Sequence, residues 1–403
     1  MINRRKSKEI TIGNVKIGGN NPISVQSMCN TDTRDVAATL KQIHEMKDRG
    51  CELVRLAVLN KDAGEAIKDI VKNSPLPLIA DIHFDYRLAI QCINNGINAL
   101  RLNPGNIGKR ENVEKVVKLA KQQNIPIRIG VNAGSLEKRL QEEQRAGGQE
   151  GKPVSEGWMS GGLDVWQFND DETCKILQEQ HSENSHTSIP PYLHTSNNLA
   201  ELMVKSALDH IKILEDLDFD LIKVSLKSSD VLTTIEAYRL IAEKIPYPLH
   251  LGVTEAGTMR QGLIKSSIGL GTLLSEGIGD TIRVSLTEDP VEEVTAGFDI
   301  LKSLNLREKG VNFISCPTCG RTQIDLINLA KRVEEKFKNL DKPITIATMG
   351  CAVNGPGEAR HADFGIAGGI GEGYIFKKGE IIARVPENQL LEKLEEIIIK
   401  SSI

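Results

Sequence analysis

Three cysteines in the last quarter of the chain have the spacing of a metal site. Cys316 and Cys319 lie in CPTCGRT with two residues between them, and Cys351 follows in MGCAVNGPGEAR, at the end of an apolar run that reads as a strand. Glu358 lies beyond it in a Gly/Pro-rich turn. A C-x2-C pair serves redox dithiols, zinc knuckles and iron–sulfur centres alike, so the third cysteine has to discriminate. A thioredoxin-like dithiol needs only two cysteines, opening the helix of a βαβ unit, and CPTC does not read that way. Structural zinc wants a closed set of four, which Cys316, Cys319, Cys351 and His361 could supply. An iron–sulfur cluster of four irons needs four attachment points, and three thiolates with the Glu358 carboxylate would provide them. That oxygen ligand would be the more easily displaced, leaving one iron open to substrate. The glycines of NGPGEA permit the tight backbone that would return Glu358 to such a centre. Zinc and iron–sulfur both remain open on the residues alone. Cys29, Cys51, Cys92 and Cys174 read as buried or incidental thiols, with Cys29 the nearest to the chemistry proposed below.

A second group of candidates is basic and lies on strand-like runs. Strand side chains alternate between two faces, and in a parallel barrel one face packs on helices while the other fills the interior. In TIRVSL, Ile282, Val284 and Leu286 suit the helix side, which turns Arg283 and Ser285 inward. The same parity turns Lys223 and Ser225 of LIKVSL, Arg101 and Asn103 of ALRLN, Arg128 and Asn132 of IRIGVN, and Arg55 of ELVRLAV inward. Asp81 and His83 share the inner parity of their strand. So many cations in one interior are too costly to be structural, because burying unpaired charge costs several kcal/mol per ion even after relaxation. Asp81 can offset one, with Glu255 just past LGVT as a second acid. The remainder implies a bound polyanion at an open mouth, and Arg and Lys donors beside Ser and Asn groups make a phosphate or diphosphate cradle. GTMRQG and SLTEDP also place helix N-termini at that mouth, where they can bind anions. Any one cation could instead sit in an intramolecular ion pair, and Glu255 in one with Arg283 or Arg55.

These positions need a scaffold. The strands ISVQSM, CELVRLAV, PLIADIHF, INALRLN, IPIRIGVN, FDLIKVSL, PLHLGVT and DTIRVSL alternate with helical segments, the pattern of a closed (β/α)8 barrel. An open doubly wound sheet would be favoured by a Gly-rich phosphate fingerprint after the first strand, and VQSMCNTDT is not one. The first helix starts in TRDVAATLKQIHEMKDRG, with Thr33 or Asp32 as cap and Gly50 as stop. The fold class is therefore α/β, a (β/α)8 TIM-type barrel over residues 1–305. After NLREKG, a small α+β domain over 306–403 carries the cysteines.

One stretch interrupts the alternation. Residues 141–196 form a polar insertion with both tryptophans and His181, His186 and His194. It reads as a surface subdomain or a lid over the mouth, and its histidines lack a regular ligand spacing. Elsewhere the composition excludes more than it suggests. A net charge of -4 gives no sign of non-specific nucleic-acid or membrane binding. No apolar h-region follows the basic N-terminus and no long apolar run occurs, so neither signal peptide nor transmembrane span is expected. An odd number of scattered cysteines fits reduced thiols in a cytoplasmic setting.

Eight segments together resemble the 4-hydroxy-3-methylbut-2-enyl diphosphate synthase family of the methylerythritol phosphate isoprenoid pathway. They are VQSMCNTDT, RLNPGNIG, GVNAGSLEKRL, KVSLKSSD, LGVTEAG, RVSLTEDPVEEV, CPTCGRT and MGCAVNGPGEA, spread over nearly the whole chain outside the insertion. The resemblance implies a barrel followed by a [4Fe–4S] domain, one cluster per chain, with Cys316, Cys319, Cys351 and Glu358 as ligands. It implies 2-C-methyl-D-erythritol 2,4-cyclodiphosphate as substrate and ferredoxin or flavodoxin as electron donor. Compact bacterial members lack the insertion, so no role for it carries over, and the extra domain of plant-type members is absent. Glu255 is the candidate for protonating the leaving hydroxyl, and Glu358 the ligand that yields to substrate.

Topology adds an expectation. The eighth helix delivers the chain to the bottom of the barrel with about five linker residues, at most ~17 Å, while the mouth lies roughly 20–30 Å away. A head-to-tail homodimer follows, each cluster domain capping its partner's barrel, with a hinge at NLREKG. Two other classes remain. Lys223 suits a Schiff-base position in an aldolase-type barrel bearing structural zinc. A non-enzymatic iron–sulfur carrier is the other, and it leaves the inner cations unexplained.

Overall fold

The computed structural model describes residues 2–136, 192–352, 357 and 359–401. Cys174 and Glu358 lie outside the described residues, as does the insertion apart from its last few positions, which begin a helix at Tyr192.

The eight expected strands all form, as β3 (Ser24–Met28), β4 (Leu53–Ala57), β5 (Leu78–Asp81), β6 (Ala99–Arg101), β7 (Ile127–Asn132), β8 (Ile222–Lys227), β9 (His250–Leu251) and β10 (Thr281–Ile282). They pair in parallel in the order β8-β7-β6-β5-β4-β3-β10-β9. A parallel bridge between Val224 and Leu249 closes β8 onto the start of β9. The apolar parity holds: Val54, Leu56, Leu100, Leu102, Ile127, Ile129, Ile222, Val224, Leu226, Ile282 and Val284 all join the core between strands and helices.

The helices are α1 (Val36–Asp48), α2 (Lys61–Asn73), α3 (Tyr86–Asn94), α4 (Arg110–Gln122), α5 (Tyr192–Glu215), α6 (Val231–Lys244), α7 (Met259–Ser275) and α8 (Pro290–Ser303). The expected cap of α1 is corrected. Asp35 holds the Ala38 N–H, while Thr33 donates its hydroxyl to the Ala57 carbonyl and Asp32 pairs with Arg34. Gly50, at φ +94°, does end that turn.

Sequence reading misses a hairpin, β1 (Ile10–Ile12) and β2 (Val15–Ile17), joined through Gly13 and Asn14. Gly13 has φ +58°, the left-handed backbone a two-residue hairpin turn requires. Ile10, Ile12 and Ile17 pack on Leu53, Ile79 and Ala99, at the N-terminal ends of the barrel strands. Each buried isoleucine contributes about 1.5–3 kcal/mol, and the hairpin covers the bottom of the barrel at these strand ends.

The linker is fastened at that same bottom. Arg307 pairs with Glu52 at 3.1 Å and donates to the Ile23 carbonyl at 2.8 Å, both just before barrel strands. A second sheet follows, in the order β11 (Asn312–Ser315), β12 (Thr345–Met349), β13 (Phe364–Gly368), β14 (Glu372–Lys377), β15 (Glu380–Pro386), its first three strands parallel and the rest antiparallel. The helices α9 (Leu326–Phe337) and α10 (Leu390–Lys400) bury Leu329, Val333, Leu390 and Leu394 against Ile346, Ile366 and Ile375. Among the described residues, no helix is long and apolar enough to cross a membrane.

Candidate active site

Charge at the barrel mouth is organised around one acid. Asp81 stands in register with Arg101, Arg101 with Arg128, and Arg128 with Lys223. The Asp81 carboxylate lies 3.3 Å from Arg101, 3.4 Å from His83 and 3.5 Å from Arg55. Burial pushes its pKa up, but Arg55, His83, Arg101 and Arg128 outweigh burial and hold it well below the usual carboxylate range. The stability from these pairs is therefore complete above about pH 4 and is lost only as the pH falls toward the lowered value.

Arg283 has its own acid, and it is not Glu255. Its guanidinium makes two bonds to Glu293, at 3.2 and 3.1 Å. Glu293 also accepts from the Leu286 N–H and the Ser27 hydroxyl. With Arg55 paired to Asp81, neither expected ion pair of Glu255 forms, and Glu255 is exposed at the mouth with φ +51°. A left-handed glutamate costs on the order of 1 kcal/mol or more, which other contacts must offset.

The remaining inward candidates fall into place unevenly. Asn103 is engaged: its amide donates to the Gly130 carbonyl at 3.0 Å and accepts from the Gly130 N–H at 2.9 Å. It joins β6 to β7 rather than offering a free amide. Ser225 donates to the Ile129 carbonyl. Asn132 ends β7, Ser285 follows β10 half-buried, and His83 is exposed beside Asp81. The N-terminus of α8 is already capped by Asp289, so it does not offer the expected free anion site. No side chain caps α7.

Three site residues escape the sequence reading. Glu293 does so because it comes from a helix, where strand parity says nothing. Lys227 and His250 share inner parity with Lys223 and with Gly252, so parity carried to the ends of KVSLK and LHLG would have found both. Two glycines explain how such long side chains fit. A Cβ on Gly130 would lie 2.6 Å from Arg101 Nε, and one on Gly252 within the space of Lys227 Nζ. Each glycine lets a cation lie flat on its neighbour's backbone.

The cysteines gather by topology. β11 and β12 run in parallel, Ser315 is in register with Thr348, and the Cys316 N–H donates to the Thr348 carbonyl at 3.2 Å. Cys316 and Cys351 thus leave the same ends of neighbouring strands. Gly350 donates its N–H to Cys316 Sγ at 3.1 Å. Cys319 is exposed, and the backbone N–H and guanidinium of Arg321 draw its thiol below the ordinary value. N–H donors to sulfur and a thiol biased toward thiolate suit a soft metal centre. As the chain stands, no three His, Cys, Asp or Glu side chains are gathered tightly enough for a metal among the described residues. His361 is exposed and bonded to Arg360, and among the described residues it forms no metal-ligand group with the cysteines.

Two family models match this chain, the GcpE TIM-barrel domain over residues 7–160 and 179–298 and the GcpE protein C-terminal domain over 312–400. The unmatched residues between 160 and 179 fall inside the insertion. Among curated relatives, a protein of Clostridium perfringens is 53% identical over 98% of this chain and 99% of its own length. One of Geobacter sulfurreducens is 52% identical over 97% and 96%. Both are named 4-hydroxy-3-methylbut-2-en-1-yl diphosphate synthase (flavodoxin).

Proposed function

The chain belongs to the GcpE family of 4-hydroxy-3-methylbut-2-en-1-yl diphosphate synthases, and from that premise we propose how its residues divide the reaction. The protein is an oxidoreductase of isoprenoid precursor synthesis. It opens the ring of 2-C-methyl-D-erythritol 2,4-cyclodiphosphate and removes a hydroxyl, giving 4-hydroxy-3-methylbut-2-enyl diphosphate. Two electrons and one proton enter. The ring C–O bond breaks with its electron pair left on the phosphoryl oxygen, and the hydroxyl departs as water.

In this reading Arg55, Arg101, Arg128, Lys223 and Arg283 hold the cyclic diphosphate, with Lys227 added from the structure. Asp81 and Glu293 fix the guanidiniums that flank it, so little reorganisation is needed when the substrate arrives. Asn103 fixes Gly130, the seat of Arg101. His83, Asn132, Ser225 and Ser285 complete the set as partners for phosphoryl or hydroxyl groups. Glu255 delivers the proton to the leaving hydroxyl. The observation that carries the reading is the interior itself: six buried or half-buried cations with only Asp81 and Glu293 paired to them among the described residues.

Cys316, Cys319, Cys351 and Glu358 would hold one [4Fe–4S] cluster per chain. Bound there, it would supply one-electron reduction and a Lewis-acidic iron. The donor is a flavodoxin, as in the names of the relatives, or a ferredoxin, and the setting is cytoplasmic. We place the division between barrel and cluster domain at residues 305 and 306. The hold of Arg307 on the barrel bottom supports a head-to-tail homodimer, because it tethers each cluster domain away from its own mouth.

Anaerobic purification tests the cofactor. The expected protein is brown, with about four irons and four sulfides per chain, and a Glu358→Ala chain keeps most of its iron but loses turnover. A colourless protein containing zinc overturns the assignment.

A further inference from the structure

We propose that Met28 is a positioning residue for the reaction: its thioether is a neutral acceptor that aims the guanidiniums of Arg55 and Arg283 at one shared phosphoryl group. This rests on the function proposed above, and it adds a residue that carries no charge and acts through its neighbours.

Met28 ends β3, which lies between β4 and β10 in the barrel. It is in register with Arg55 on β4. Arg55 turns one whole edge of its guanidinium to the sulfur, donating from Nε at 3.0 Å and from Nη2 at 2.8 Å. The Asp81 carboxylate is further from Arg55, at 3.5 Å. Arg283, just past β10, reaches the same sulfur. Its Nε and Nη2 are taken by Glu293, and its Nη1 stands 3.9 Å from Met28 Sδ. Two cations thus share one uncharged atom. Their side chains are only 13% and 14% exposed, so water can do little to replace the sulfur as their partner.

A thioether sulfur is a weak acceptor without charge, and both properties suit this place. Arg55 and Arg283 repel one another. Burial pulls the Arg55 pKa down to about 10, and although Asp81 opposes that, the charges of Arg283 and Arg101 add to it. Without a common acceptor, that repulsion turns the two guanidiniums apart. A carboxylate at position 28 would hold them together, but it would neutralise them and compete with the incoming diphosphate. A leucine would fill the same space and leave the facing edge of Arg55 without an acceptor there. Sulfur orients both cations, keeps their charge intact, and bonds weakly enough for phosphoryl oxygens to take its place. The phosphoryl group then meets donors already held in position, which lowers the ordering cost of binding. A contact made alike with substrate and transition state bears on KM rather than kcat.

The test sets two neutral substitutions against each other on the reconstituted holoenzyme. Met28→Leu keeps the bulk and removes the acceptor, and it is expected to raise KM for the cyclic substrate about tenfold while kcat changes less than about twofold. Met28→Gln puts an amide oxygen in place of the sulfur, and KM should return to within about threefold of wild type. A side chain that only fills space gives the reverse order, Met28→Leu near wild type and Met28→Gln the worse, and that result overturns the proposal. Should Met28→Gln not fold, a double-variant cycle decides. On an Arg55→Met background, Met28→Leu should raise KM less than about threefold, because one of the guanidiniums it positions is gone. Full additivity of the two changes overturns the proposal. If Arg55→Met alone leaves KM unchanged, the mouth itself has been misassigned, a failure distinct from that of Met28.

Discussion

A Cys351→Ser chain is expected to lose turnover by ~10^3-fold or more, about 4 kcal/mol of barrier, together with most of its bound iron. Serine matches cysteine in shape, so the packing of Cys351, 8% exposed just past β12, is nearly kept. What changes is the ligand: a hydroxyl is a far poorer donor to iron than a thiolate. The damage should also stay local. The cores of the two sheets are separate, with Ile346, Ile366 and Leu394 in one and the barrel residues in another. Iron analysis and flavodoxin-coupled turnover, beside a thermal melt of the barrel, decide it. A variant that keeps its iron and its rate would remove Cys351 from the ligand set.

The second large effect comes from Arg283 and divides into two parts. Arg283→Met leaves Glu293 buried without its guanidinium, which is expected to destabilise the fold by about 3–5 kcal/mol. It also removes one of the fixed donors facing the diphosphate, and kcat/KM should fall ~10^2-fold or more, about 3 kcal/mol. Adding Glu293→Gln separates them. Replacing a buried pair by neutral groups of similar volume is often neutral or stabilising, so the double variant should regain most of the stability and none of the activity. Urea unfolding reads the first part and steady-state kinetics the second. Recovery of both would mean that Arg283 acts on the fold alone.

The difference between these two residues shows what can be read along the chain. Eight parallel strands are legible because each is an apolar run buried on its outer face, and parity then turns the cations inward without any structure. What parity cannot supply is partnership. Asn103 faces inward as expected, yet both ends of its amide go to Gly130. Arg283 finds its acid in a helix, where no strand rule applies, because Glu293 reaches back over the start of α8. The cap of α1 was a choice among similar residues, and Asp35 takes it because Thr33 is held by Ala57. The hairpin at Gly13 has strands of only three residues, too short for alternation to announce them. The cysteines are legible as a group by type and spacing, whereas their approach depends on the parallel pairing of β11 with β12.

The central claim is that the cysteine centre of one chain works on the cationic mouth of another. Mixing settles it: Cys351→Ser chains combined with Arg283→Met/Glu293→Gln chains, each inactive alone, are allowed to exchange and assayed with reduced flavodoxin. If the two halves meet between chains, mixed dimers contain one intact pair, and activity returns to about a quarter of wild type at equal mixing, half the dimers having one working site of two. Mixed dimers that form and stay inactive would contradict the account and put the cluster and the mouth of a single chain together.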